Sequence, residues 1–141
     1  MVRTVEHNGN ILAIIIPADF SEDGVRFFTP DQFSQQLAFM KHPKGHEIQP
    51  HVHCPVPREV QYIQEVLVIR RGKLRVDFYD GKEYLESRKL GQGDVILLAS
   101  GGHGFKVLEE LEMIEVKQGP YGGEDKVRFT SVCEDKILFK D

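Results

Sequence analysis

Residues 73–99 read KLRVDFYDGKEYLESRKLGQGDVILLA. In KLRVDFY (73–79), Leu74, Val76 and Phe78 alternate with Arg75, Asp77 and Tyr79, the period of two that sends successive side chains to opposite faces of a half-buried strand. Asp80-Gly81 then supplies a favoured two-residue hairpin turn, because both positions tolerate positive φ. EYLESRKL (83–90) follows, and Gly91-Gln92-Gly93-Asp94 turns the chain again before DVILLA (94–99). Arg71-Gly72 reads as one more tight turn, between KLRVDFY and the preceding YIQEVLVIR (62–70). Four consecutive strands on such short connections require antiparallel pairing.

The same rhythm extends in both directions. ILAIII (11–16), QLAFMKH (36–42), EIQPHVH (47–53), FKVL (105–108) and EMIEVKQ (112–118) are further strand candidates, with VRFT (127–130) and KILF (136–139) as weaker ones. Short apolar runs closed by Gly, Pro or Asp clusters are the pattern of an all-β sandwich or barrel. Asn8-Gly9 reads as a turn. TPDQFSQQ (29–36) has the Thr-Pro start and acidic first turn expected of one short N-terminal helix. No repeat, low-complexity tract or Pro-rich linker divides the 141 residues, so one domain spanning 1–141 is expected, large enough to bury roughly two thirds of its unfolded surface.

Composition narrows the function. With 40% hydrophobic and 28% charged residues the chain has the make-up of a soluble globular protein. Its 18 Lys and Arg are scattered among 22 acids for a net charge of -4, so attraction to a phosphate backbone is not expected and nucleic acid is excluded as a partner. The apolar run Ile11 to Ile16 is too short for a signal-peptide core or a membrane span, which points to a cytoplasmic protein without a membrane partner. Cys54 and Cys133 are then expected reduced.

Four residues carry possible metal chemistry. In a strand, His51 and His53 of GHEIQPHVH (45–53) stand on one face, where two neutral imidazoles can hold one divalent transition metal; two partly exposed histidines is the plain alternative. Glu65 opens the apolar run VLVI, where a carboxylate is costly to bury unless paired or bound to a cation. His103 stands between glycines in ASGGHGF, where backbone freedom lets an imidazole be aimed inward. His46 and Cys54 have the opposite strand parity to His51, and His7 and His42 read as surface residues.

This arrangement resembles the cupin superfamily, whose small barrels have two motifs. The first is a Gly, five residues, HxH, three or four residues, Glu, six residues and Gly. Gly45, His51, His53, Glu65 and Gly72 keep both outer spacings, while CPVPREVQYIQ puts eleven residues between His53 and Glu65. That excess reads as a loop at the barrel mouth stiffened by Pro55 and Pro57, with Glu59 as the rival carboxylate. In the second motif Gly93 and His103 match, Ala99 replaces a proline, one residue is missing before the histidine, and no asparagine follows in the usual place.

The resemblance covers residues 36–118 and implies an antiparallel jelly-roll barrel, the double-stranded β-helix, with Fe, Mn, Ni, Co or Zn held by His51, His53, Glu65 and His103. It implies a metal-dependent enzyme acting on a small polar molecule, as an oxygenase or a sugar-type isomerase or epimerase. A non-catalytic metal- or ligand-binding module is the alternative, since fold does not fix function. Glu65 or Tyr62 would carry protons, and Arg58, Gln61 and Gln64 would contact substrate. The apolar strand ILAIII, outside the motif core, must cover something, and a homodimer is expected.

Overall fold

A computed structural model describes residues 1–122 and 126–141. The chain divides into two compact units, Met1–Phe20 with Ile63–Asp141, and Ser21–Tyr62.

The larger unit is one antiparallel sheet of β1 (Arg3–His7), β2 (Asn10–Ile16), β5 (Glu65–Asp80), β6 (Glu83–Leu90), β7 (Val95–Leu98) and β8 (Gly102–Lys117). The smaller unit has a two-stranded antiparallel sheet of β3 (Gly24–Phe27) and β4 (Ala38–Lys41). The fold class is therefore all-β as expected, the one helical element among the described residues being the single 3-10 turn Glu134–Lys136.

β5 organises the larger sheet. Its first half pairs with both β7 and β8, and its second half with both β6 and β8. Since β8 follows β5 along its length, β6 and β7 must share the other edge end to end. The Gly91–Asp94 turn between them stays on the ladder, Gly93 donating to Ile69 O at 2.8 Å and Ile69 donating to Asp94 O at 2.9 Å.

That pairing forces the sheet to curl. Fourteen residue steps separate Glu65 from Tyr79, about 46 Å in a straight strand. Yet Leu98, paired with Glu65, is joined to Gly102, paired with Tyr79, by a link that spans at most about 14 Å. β5 must bend, and it does so where the register with β8 slips three times between Ile69 and Leu74. Gly72 lies in this bulged stretch at φ +92°, and a Cβ there would come within 2.0 Å of the Glu110 carbonyl oxygen. Arg71-Gly72 is thus a bulge inside one strand, not a turn between two. The same pairing fuses FKVL and EMIEVKQ into the single strand β8.

The bulges also switch strand parity, so that Leu67 and Ile69 before them join Leu74, Val76 and Phe78 after them in one core with Leu90 and Ile96. The result is a curled half-barrel with its apolar face inward. Fully burying each such side chain contributes about 1.5–3 kcal/mol. Leu12 to Ile16 of β2 are all buried between β1 and β7, so the apolar run expected to require a second copy is covered within one chain. β1, unrecognised in the sequence, follows from the Asn8-Gly9 turn, where both residues have positive φ and His7 faces Asn10.

Other expectations fail for local reasons. EIQPHVH forms no strand; Pro50 lacks the N–H a ladder needs, and the parity assigned to His46, His51, His53 and Cys54 lapses with it. TPDQFSQQ is a turn rather than a helix, because Gln36 closes it with its side chain. Its Nε2 donates to the carbonyls of Pro30 and Phe33 at 3.0 and 3.1 Å, and its Oε1 accepts from Thr29 Oγ1 at 2.7 Å. VRFT is irregular, and KILF contributes only an isolated bridge from Phe139 to Ser87. No helix among the described residues is long and apolar enough to cross a membrane.

Candidate functional site

The curl brings together two groups from opposite ends of β5. Glu65 has the parity of Leu67 and Ile69, so it ends the row of core-facing side chains. His103 pairs across the sheet with Phe78, another core residue, and so projects from β8 to the same inner face. In a flat sheet these rows would end far apart; here His103 Nε2 lies 3.9 Å from Glu65 Oε2. Both side chains are mostly buried, 28% and 13% exposed respectively.

The glycines around His103 serve close approach more than aiming. A Cβ on Gly102 would stand 2.9 Å from the Gly81 carbonyl oxygen, so only glycine lets β8 begin against the β5–β6 hairpin. His103 itself is inside a regular strand, and the pleat rather than loop freedom sets its direction.

A cavity of about 530 Å³ opens over the pair. Glu115 and Lys117 line it from the end of β8, and Lys126 and Arg128 from the following segment. Tyr79 and Phe129, packed edge to face with centroids 5.0 Å apart, form an aromatic wall. The Tyr79 hydroxyl accepts from the Val132 N–H at 3.1 Å, tying that segment to the sheet. A smaller recess of about 90 Å³ shares Glu65, Lys117 and Lys126 and adds Gln118 and Tyr121.

The electrostatics of the cavity are mixed. Burial lowers the His103 pKa below the ordinary imidazole value of 6.5, and Lys126 lowers it further, against the opposing pull of Glu65 and Glu115. A neutral imidazole is the form that binds a metal or accepts a proton. Glu115 forms an ion pair with Lys117 at 2.9 Å, and the hydrogen bond between them is the main reason the Lys117 pKa is raised.

The other residues singled out in the sequence have varied settings. His51 and His53 belong to the smaller unit, exposed, with ring centroids 5.1 Å apart and Nδ1 of His51 2.8 Å from the Gln49 carbonyl oxygen. His42 and His46 stack in that unit at 4.0 Å. Arg58, Glu59, Gln61 and Tyr62 are exposed there, while Gln64 is buried in the larger unit, its backbone N–H donating to Gln118 Oε1 at 2.9 Å.

A neutral imidazole and a carboxylate are donors that suit a divalent transition metal. Among the described residues, however, no group of three or more His, Cys, Asp or Glu is gathered to hold an ion, so His103 and Glu65 supply only part of such a shell. Sequence reasoning missed Glu115, Lys117, Lys126 and Arg128. The signal for the first two was the inward parity of EMIEVKQ once Lys117 is paired with Glu65; the last two follow the strand and carry no periodic mark.

In comparisons with protein-family models, curated proteins and solved structures, nothing matches this chain. Its function must be argued from the chemistry of the cavity.

Proposed function

We propose that this chain is a metal-dependent barrel protein of cupin type that acts on a small polar molecule in the cavity over Glu65 and His103. The observation that supports it is the His103–Glu65 pair: a neutral imidazole and a mostly buried carboxylate, 3.9 Å apart, facing an open cavity. Structural pairs in protein interiors close their hydrogen bonds, whereas this one stays 3.9 Å apart beside an open cavity. A divalent metal held there would act as a Lewis acid toward a substrate oxygen. Glu65 and His103 are also the groups placed to hold or move a proton, and the Tyr79–Phe129 wall limits water on one side.

Elemental analysis of the purified protein tests this reading, followed by titration of stripped protein with Fe(II), Mn(II), Ni(II), Co(II) and Zn(II). About one ion per chain is expected, lost in His103→Ala and in Glu65→Ala with the fold retained. Stripped protein that binds none of the five ions would remove the proposal. Aerobic incubation of loaded protein with sugars and catechol-type compounds then distinguishes turnover from binding.

A second reading, a binding module without turnover, draws on the gathering of two metal-binding groups rather than three among the described residues. It predicts that a small ligand raises the melting temperature while no product forms.

A further inference from the structure

Among the described residues that line the cavity, cations outnumber acids. Three cationic side chains, Lys117, Lys126 and Arg128, face two carboxylates, Glu65 and Glu115, with His103 neutral. The described part of the lining is therefore net positive in a chain whose overall charge is -4. Lys117 is neutralised by Glu115 at 2.9 Å. Lys126 and Arg128 are exposed, and neither forms an ion pair among the described residues. Elsewhere the same unit pairs its cations readily: Arg75 with Asp77, Arg88 with Glu86, Lys106 with Glu134.

Two cations two positions apart in the chain, neither ion-paired among the described residues, line the cavity together with the Glu65–His103 pair and define a direction for a ligand. The Arg128 guanidinium presents a planar fork that matches the two oxygens of a carboxylate or phosphate, and an ammonium beside it adds a second donor. The volume of about 530 Å³ lies within the roughly 300–1,000 Å³ of small-molecule sites. An uncharged ligand would leave the rim cations solvated and unused, and a cationic one would meet net repulsion.

We infer that the molecule taken into this cavity bears an oxyanion group, carboxylate or phosphate, held at the rim by Lys126 and Arg128 while its polar remainder reaches Glu65 and His103. The inference rests on reading the cavity as a small-molecule site and names the substrate class that site takes. Lys126 and Arg128 are binding residues; Glu65 and His103 face the end of the molecule opposite its charge.

Calorimetric titration of the purified protein with matched probes tests it: glucose 6-phosphate against glucose, and succinate against succinamide. Each acid is expected to bind at least tenfold more tightly than its neutral counterpart. The double variant Lys126→Gln with Arg128→Gln should lose at least tenfold of acid affinity, and Lys126→Arg should keep it. Both positions are exposed, so the variants fold, which the melting temperature verifies. Lys82→Gln, exposed and outside the cavity lining, should change acid affinity by less than threefold. Equal binding of acids and neutral partners, acid affinity unchanged in the double variant, or no acid binding at millimolar concentration each overturn the inference. Chelation of an acid by a bound metal alone would survive the double variant and counts against it. Acid binding that needs Lys126 and Arg128 in protein that takes up no metal would uphold the anion site while removing the metal reading.

Discussion

Two carboxylates on one strand, Asp77 and Glu65, have opposite environments. Asp77, on the outer face of the second half of β5, accepts from Arg75 Nε at 2.8 Å, from Arg75 Nη2 at 2.9 Å and from the Ser87 hydroxyl at 2.5 Å. Arg75 also donates to Glu134 at 2.7 Å, and Lys106 completes that group at 3.0 Å. Arg75 and Asp77 are about 95% buried, yet their polar atoms are engaged. Glu65, at the other end and on the inner face, is 13% exposed and has its imidazole partner at 3.9 Å, beyond hydrogen-bond length. One carboxylate is finished by the protein; the side chain of the other makes no hydrogen bond among the described residues. Burial alone does not mark a functional acid, but burial with open valence does.

The largest expected effect comes from breaking the finished site. Asp77→Asn leaves Arg75 buried without its bidentate partner and should cost about 3–5 kcal/mol in urea unfolding. A loss under about 1 kcal/mol would mean that the network is not holding the C-terminal segment against β5 and β6.

Next in size is the bend that gives β5 its two environments. Gly72→Ala places a methyl against the Glu110 carbonyl at a φ of +92°, and should cost about 1–3 kcal/mol or more. Because the bend brings His103 to Glu65, the same variant should also weaken any ligand of the cavity. An unchanged melting temperature would show that the strand passes this point by another route.

Glu65→Gln is expected to leave stability within about 1 kcal/mol of the parent, since a neutral amide is cheaper to bury than a carboxylate with so distant a partner. Metal affinity should nevertheless fall at least tenfold, about 1.4 kcal/mol or more. A destabilisation as large as that of Asp77→Asn would put Glu65 among the structural residues and erase the contrast.

Much of the finished region was legible. LRVDFY alternates, EYLESRKL matches β6 residue for residue, and Asn8-Gly9 fixes a hairpin, because strand period and turn chemistry are local. The bend was not legible: a Gly with positive φ serves a turn or a bulge equally, and only the pairing of β8 across both halves decides. In EIQPHVH the histidines alternate as in a strand, but Pro50 withholds the N–H that a ladder needs. For the cavity, Glu65 and His103 could be singled out by their chemistry, but Lys126 and Arg128 follow the last strand and become neighbours of His103 only through the curl.

The smallest expected effect is a difference in acid sensitivity between the two carboxylate sites in metal-free protein. Burial depresses the His103 pKa, so between its native value and the unfolded value of 6.5 the unfolded chain binds a proton that the native chain refuses. Stability attributable to His103 is therefore full above pH 6.5 and falls as the pH drops through that value, levelling below the native pKa. Glu134 behaves differently: Arg75 and then Lys106 hold its pKa below the ordinary 4.5, so its contribution is kept until the pH falls below that range. Between pH 7 and 5 the melting temperature of the parent should decline more steeply than that of His103→Gln. Coincident slopes from pH 7 to 5 would mean that the imidazole is not buried against the sheet, and the open pair at the mouth of the half-barrel would lose its chemical partner.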